Sequence, residues 1–120
     1  MVRIDSMSFG VIGIEGKKYR IRDVAIFPDG VVRRRKISRW LANHHKYRKE
    51  DIAELVASGA EMVVIGTGIY SGVKLTNDMR EFINESQCEL LDSSSHEVIQ
   101  KFNEQVDLGK KVGALIHVLC

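Results

Sequence analysis

The stretch Met62-Val63-Val64-Ile65-Gly66-Thr67-Gly68-Ile69-Tyr70-Ser71-Gly72 decides the fold class. Four consecutive apolar residues closed by a glycine fit a strand covered on both faces, and such strands belong to parallel sheets flanked by helices. The strand empties into a glycine-rich loop. A helical pattern follows at Asn77–Asn84, with Met79, Phe82 and Ile83 on one face and Thr76 as its N-cap. In α/β folds a strand end that opens onto such a loop is where ligands are held, because bare backbone can approach them there.

Working outward, the same alternation continues on both sides. Upstream, Ile52, Leu55 and Val56 share one face of a helix over Lys49–Ser58, stopped by Gly59 and preceded by Arg48, a poor N-cap. Downstream, Glu89–Asp92 reads as a short strand. Ser94 and Glu97 have capping-box spacing for a third helix that buries Val98, Ile99, Phe102 and Val106 before Gly109. Val112–Leu119 is an almost unbroken apolar run and reads as another doubly covered strand. Strands alternating with helices imply right-handed crossovers and a largely parallel βαβ sheet with three helices.

The first third differs. Apolar alternation in Phe9–Ile14 and Lys18–Arg22, joined by a turn at Glu15-Gly16, predicts an antiparallel β-hairpin with one wet face. Val24–Phe27 continues that layer, Pro28-Asp29-Gly30 is a turn, and Val31-Val32-Arg33 returns as a further strand. Trp40-Leu41-Ala42 fits either a short helical turn or a loop that inserts Trp40 into the core. The expectation is a single α/β domain over residues 1–120 with an N-terminal hairpin layer.

Composition narrows the class of function. The chain has 120 residues, 44% hydrophobic and 28% charged, as an ordinary globular domain has. No apolar run approaches the roughly 20 residues that span a bilayer, and Met1-Val2-Arg3-Ile4-Asp5 lacks a signal-peptide core, so no membrane association and a cytoplasmic location are expected. Cys88 and Cys120 have neither metal spacing nor the density of a disulfide scaffold. The net charge of +2 conceals a split. Residues 1–49 hold 13 Lys/Arg against 4 Asp/Glu, a balance of +9, and residues 50–120 hold 5 against 12, a balance of −7. The basic segment 33–49 either attracts an anionic partner or neutralises the acidic second half of its own chain.

Four groups of residues are candidate sites. Gly66, Thr67 and Gly68 with the hydroxyl of Ser71 can hold a small anion or a carbonyl through bare amides; alternatively the glycines only permit a tight strand exit. The third glycine is misplaced for a dinucleotide fingerprint and the chain is too short for two mononucleotide-binding halves. Asp92-Ser93-Ser94-Ser95-His96 should open beside that loop on the same sheet edge; Ser93, Ser94 and Ser95 read first as helix caps, the alternative being nucleophilic catalysis by a serine with His96 and Asp92. Arg34 and Arg35 with His45 supply positive charge. Of the histidines, His44 and His45 are adjacent and His96 and His117 stand apart, so no metal site is expected; His117 reads as a hydrogen-bonded structural residue.

The chain resembles the small single-domain family that includes mitochondrial complex I assembly factor three and the adipogenesis-associated domain protein, most closely its archaeal branch. The resemblance rests on Arg34-Arg35-Lys36-Ile37-Ser38-Arg39, His45, Ile65-Gly66-Thr67-Gly68, Phe102-Asn103-Glu104 and the run Gly109–Cys120, in that order. It implies an α/β domain with a β-hammerhead-like hairpin beside the sheet, and assembly or regulatory roles without an established reaction. Ser95 stands where relatives often have Thr, Val98 where Ala is usual and Gln105 where Leu is common. No cofactor follows from the residues or the resemblance. The leading expectation is a non-enzymatic binding or assembly module with a protein partner or small anionic ligand. The alternatives are a small-anion or nucleotide-binding enzyme using the glycine loop, and nucleic-acid binding through residues 33–49.

Overall fold

The apolar run at Met62 forms the centre of the main sheet. The computed structural model describes residues 2–43 and 45–120, the side chains of Arg39 and Asn43 excepted. The main sheet contains β4 (Val24–Ile26), β5 (Val32–Arg34), β7 (Met62–Gly66), β9 (Glu89–Ser93) and β10 (Val112–Ile116), in the order β5-β4-β10-β7-β9. Strands β10, β7 and β9 are parallel, whereas β4 pairs antiparallel with β10 and β5 antiparallel with β4. The sheet is therefore mixed rather than largely parallel. A separate antiparallel sheet is formed by β1 (Ile4–Ser8), β2 (Val11–Ile14) and β3 (Lys17–Arg20), and a two-residue parallel ladder joins β6 (Lys46–Tyr47) to β8 (Lys74–Leu75).

Four helices are present among the described residues: α1 (Ile37–Asn43), α2 (Lys49–Ala57), α3 (Asn77–Glu85) and α4 (Ser95–Asp107). Helix α1 is the addition to the three expected, and it resolves the ambiguity at Trp40 in favour of helix, with the indole half-buried. Arg48 cannot cap α2 with an acceptor of its own. The Asp51 carboxylate instead reaches back and accepts from the Arg48 N–H at 2.8 Å, which offsets the poor cap.

Register divides the sheet into two faces. Arg33, Ala25, Leu115 and Ile65 stand opposite one another across successive strands, so their side chains share one face. On it Val63, Ile65 and Leu115 pack with Ile52 and Leu55 of α2, Met79 and Ile83 of α3, and Tyr47. The other face, with Val24, Ile26, Val64, Ala114 and Ile116, takes Val98, Phe102 and Val106 of α4 together with Ile4, Ile12 and Ile14 of the small sheet. Burying a Leu or Phe side chain in such a core contributes about 1.5–3 kcal/mol, so the two layers hold each other through the shared sheet.

Two expectations are corrected. Val24–Phe27 does not prolong the hairpin: the chain turns at Ile21, whose φ of 71° is unusual for a β-branched residue, and β4 enters the main sheet. Strand β10 also ends at Ile116, earlier than Leu119. Residues beyond it bond sideways, with Val118 O accepting from Gly10 N, Leu119 O from Ile69 N and Cys120 O from Gly72 N.

Candidate functional site

Parallel pairing brings the exits of β7 and β9 together, Gly66 being opposite Ser93 and also opposite Ile116 of β10. The expected rim exists, and it is closed. Thr67 donates its N–H (2.9 Å) and its hydroxyl (3.0 Å) to Ser93 O. Ser95 Oγ accepts from Gly68 N at 2.9 Å and donates to His117 O at 2.6 Å. The amides that an anion would need at Thr67 and Gly68 are thus satisfied within the chain, and Gly66, Thr67, Gly68 and Ser95 are all buried.

The reason for the glycines is steric. A Cβ on Gly68 would stand 2.4 Å from the backbone carbon and oxygen of Cys120, and one on Gly72 would stand 2.7 Å from the same oxygen. Gly68 also has φ +105°, a left-handed conformation that favours glycine. The loop is a seat for residues 117–120. Ser71 is exposed beside it, Ser94 occupies the N-cap position of α4, and Ser93 Oγ bonds the Glu97 carboxylate. His96 faces Met7 O at 3.3 Å, not a serine.

Beneath this rim lies a polar cluster. His117 Nδ1 is 2.8 Å from Asp23 Oδ1; the carboxylate accepts, so this nitrogen carries the hydrogen. Tyr47 donates to Asp23 Oδ2 at 2.6 Å, and Arg35 approaches the same oxygen at 3.4 Å. Arg35 also forks onto Asp51, with Nε and Nη2 each 3.1 Å from a carboxylate oxygen, donates to Lys46 O at 3.0 Å, and lies over the Tyr47 ring. Burial first, then the neighbouring Asp23 charge, holds the Tyr47 phenol pKa well above its ordinary value. The cluster ties the start of β4, the end of β5, β6, α2 and the end of β10 to one another. His117 Nε2, fully buried, has no hydrogen-bond partner among the described residues, and the His45 ring stands 6.1 Å from the His117 ring. His44 lies outside the described residues.

The open concavity is elsewhere. A cavity of about 390 Å³ lies over β4 and β5 beside α2. Its floor is Ala25, Phe27 and Leu115, one wall is Glu50, Asp51, Ala53, Glu54 and Leu55 of α2, and the opposite side is Arg33, Arg34, Arg35 and Lys36. It exists because α2 is drawn toward β10, where Leu55 packs on Gly113 and would approach a Cβ there at 3.1 Å, leaving Ala25 and Phe27 only partly covered on this face. Arg35 and Asp51 are committed to each other. Arg33 lies over the Phe27 ring at 5.4 Å and 3.8 Å from Glu54, an exposed pairing that contributes little. Arg34 lies over Tyr19, and Lys36 makes no ion pair with a described residue.

The structure therefore divides the sequence-derived residues. Gly66, Thr67, Gly68, Ser71, Ser93, Ser94 and Ser95 belong to the closed rim, Arg35 lies at the groove, Arg34 turns its side chain to Tyr19 on the other sheet face, and His45 stands beside the buried cluster. Among the described residues, Arg3–Asp107, Arg33–Glu54 and Arg35–Asp51 pair cations of the basic half with carboxylates of the acidic half. Among the described residues no group of three or more His, Cys, Asp or Glu side chains is arranged to hold a metal ion.

Residues 4–117 match the model of a family described as protein of unknown function (DUF498/DUF598). The chain belongs to this family. Among solved structures it is similar to the protein designated MT938, at 26% identity over 100% of both chains with a TM-score of 0.82. It is also similar to a conserved hypothetical protein from Pyrococcus horikoshii OT3, at 26% identity over 98% of this chain and 99% of that one, with a TM-score of 0.83. A protein from Bartonella henselae titled an outer membrane protein shares the fold, with a TM-score of 0.81 at 19% identity over 99% and 96% of the two chains. No helix among the described residues of this family member is long and apolar enough to cross a membrane.

Sequence reasoning missed Asp23, Tyr47 and Asp51 as partners of Arg35, and Phe27, Lys36 and Leu55 as groove residues. One signal was present: Asp23 is a lone carboxylate between Arg22 and the apolar Val24-Ala25-Ile26, a position where a buried acid needs a cation. Nothing in the linear pattern marks the groove, which arises from where a helix layer stops.

Proposed function

We propose that this family member is a non-enzymatic binding or assembly module whose negatively charged partner docks in the groove between α2 and the β4–β5 edge. The observation that carries this reading is the concavity there, floored by the half-buried Ala25 and Phe27 and the core residue Leu115, with the cations Arg33 and Lys36 along one side. Apolar concavities with a few convergent polar groups are where ligands bind. The resemblance to complex I assembly factor three and its archaeal branch supports an assembly role. The small three-stranded sheet beside the main one is compatible with the hammerhead-like element that this resemblance implies. Free thiols at Cys88 and Cys120 agree with a reducing, cytoplasmic setting.

The rival readings have less behind them. A small-anion or nucleotide-binding enzyme at Gly66-Thr67-Gly68 would first have to displace Ser93, Ser95 and the segment seated on the loop. Nucleic-acid binding through residues 33–49 loses Tyr47 as a stacking platform, since that ring is fully buried.

The test is an amide-shift map and a thermal-shift series with octanoate, phenyl phosphate, nucleotides and poly-glutamate. At least one anionic member should perturb Ala25, Phe27, Arg33 and Leu55 and raise stability, by about 2.7 kcal/mol at a hundred times its Kd. The gain should fall in Arg33→Ala and Lys36→Ala variants. Perturbations confined to Gly66–Ser71, or turnover of any member, would replace this reading with the enzyme; steeply salt-dependent binding of single-stranded nucleic acid by the cations of 33–49 would replace it with the third.

A further inference from the structure

Taking the groove as the binding site, we infer that its occupant is an acidic, amphipathic α-helix of a partner protein, laid on the face of β4 and β5 alongside α2. Width is the first argument. Helices α3 and α2 cover β9, β7 and β10 on this face, and the two remaining strands lie at the margin of that layer, with Ala25 and Phe27 only partly buried. Two strands at about 4.8 Å spacing present a strip about 10 Å across, the diameter of one helix. The partner helix takes the next place in the layer.

Surface chemistry is the second argument. The floor offers aliphatic and aromatic carbon from Ala25, Phe27 and Leu115, and the wall of α2 offers the small Ala53, which lets a second helix come close. Charge sets the orientation. Glu50 and Glu54 on the α2 side repel carboxylates, whereas Lys36 on the opposite side attracts them, as does Arg33, whose exposed pairing with Glu54 is readily exchanged. The partner helix therefore carries its apolar stripe downward, its Asp and Glu toward the β5–α1 junction, and neutral or basic residues toward α2.

Extent is the third argument, and it favours a helix over a small molecule. Directly after Lys36, α1 presents Ile37 and Leu41, four residues apart on one helical face and 56% and 67% exposed. A ligand that fills about 390 Å³ leaves both uncovered, while three or four turns of helix, about 16–22 Å, run beyond the cavity toward them.

Selection of random 16-residue phage-displayed peptides on the immobilised chain tests this. Enriched peptides should carry apolar residues at i, i+3 or i+4, and i+7, with Asp or Glu concentrated on one flank. Their synthetic versions should gain helical circular dichroism on binding and shift the amides of Ala25, Phe27, Arg33 and Leu55. Affinity should drop at least tenfold in Lys36→Glu, an exposed change that leaves the fold intact, and be lost in Ala53→Arg, which fills the groove from its wall. Basic or aperiodic winners, no enrichment, or affinity unchanged in Lys36→Glu overturns the inference. If octanoate or phenyl phosphate maps to those same amides while no helix is selected, the helix inference falls and the groove reading stands. If nothing maps there, both fall.

Discussion

The glycine rim at Gly66–Gly72 and the groove over β4–β5 are both concave by construction, yet one is filled by the chain itself and the other is open. The rim has the pattern by which ligand loops are known, and its bare backbone is used to seat residues 117–120. The groove has no pattern at all and lies where the α2–α3 layer ends two strands short of the sheet edge. Glycine marks a close approach of something; it does not say whether that something is foreign.

Arg35 links the two regions, touching Asp51 at the groove and, through Asp23, His117 under the rim. Arg35→Ala should give the largest loss, about 3–5 kcal/mol in denaturant unfolding, because it leaves two buried carboxylates without their cation. A loss below about 1 kcal/mol would show that the cluster does not hold the two regions together. Gly68→Ala comes next, at about 2–3 kcal/mol from a left-handed backbone and a displaced Cys120. Its groove binding should stay unchanged, and a variant with unaltered stability would break the account of the rim as a seat.

Ser95→Ala should cost about 1–3 kcal/mol by orphaning Gly68 N and His117 O, read as a lowered thermal midpoint. Tyr47 supplies a pH test. Its phenol is raised above the ordinary 10.0 in the folded chain, so the fold holds that proton more tightly than the unfolded chain does. That contribution is complete below pH 10 and is lost as pH rises through the folded value. Unfolding midpoints should fall above about pH 10, and Tyr47→Phe should make the decline shallower; an identical slope would remove Tyr47 from the buried cluster. The smallest effect is Lys36→Ala, within about 0.5 kcal/mol in stability while anion binding at the groove weakens.

Much of the fold was legible. Periodicity in Ile52-Leu55-Val56, Met79-Phe82-Ile83 and Val98-Phe102-Val106 located α2, α3 and α4, and the unbroken apolar runs located β7 and β10. The hairpin was legible as β2 and β3. Strand β1 was not, since Ile4-Asp5-Ser6-Met7-Ser8 has only one buried residue, and α1 was not, since its apolar Ile37 and Leu41 face outward. The destination of Val24-Ala25-Ile26 was unreadable because the same alternating pattern suits a hairpin extension or an antiparallel edge on a parallel sheet; pairing partners are chosen at long range.

The sequence pointed to the glycine rim, whereas the groove on which the proposed function rests leaves no mark in the linear pattern. Residues Gly66–Gly68 and Ser93–Ser95 were correctly placed side by side, because parallel strands must end on a common edge. That Arg35 would be buried and Arg33 would stay at a groove could not be read from Arg33-Arg34-Arg35-Lys36, where all four look equivalent; alternation along β5 turns Arg34 to the other face, and the position of Asp23 and Asp51 in space separates Arg35 from Arg33.

From the order of residues alone came the α/β class, the three periodic helices, the doubly covered strands and the separation of basic from acidic halves, since each depends on spacing within a dozen residues. Tertiary structure alone decided that the glycine loop is occupied, that five polar side chains converge beneath it, and that a concavity remains over β4 and β5 beside α2. Those outcomes depend on which distant surfaces meet, and local periodicity carries no information about the partner a face will find.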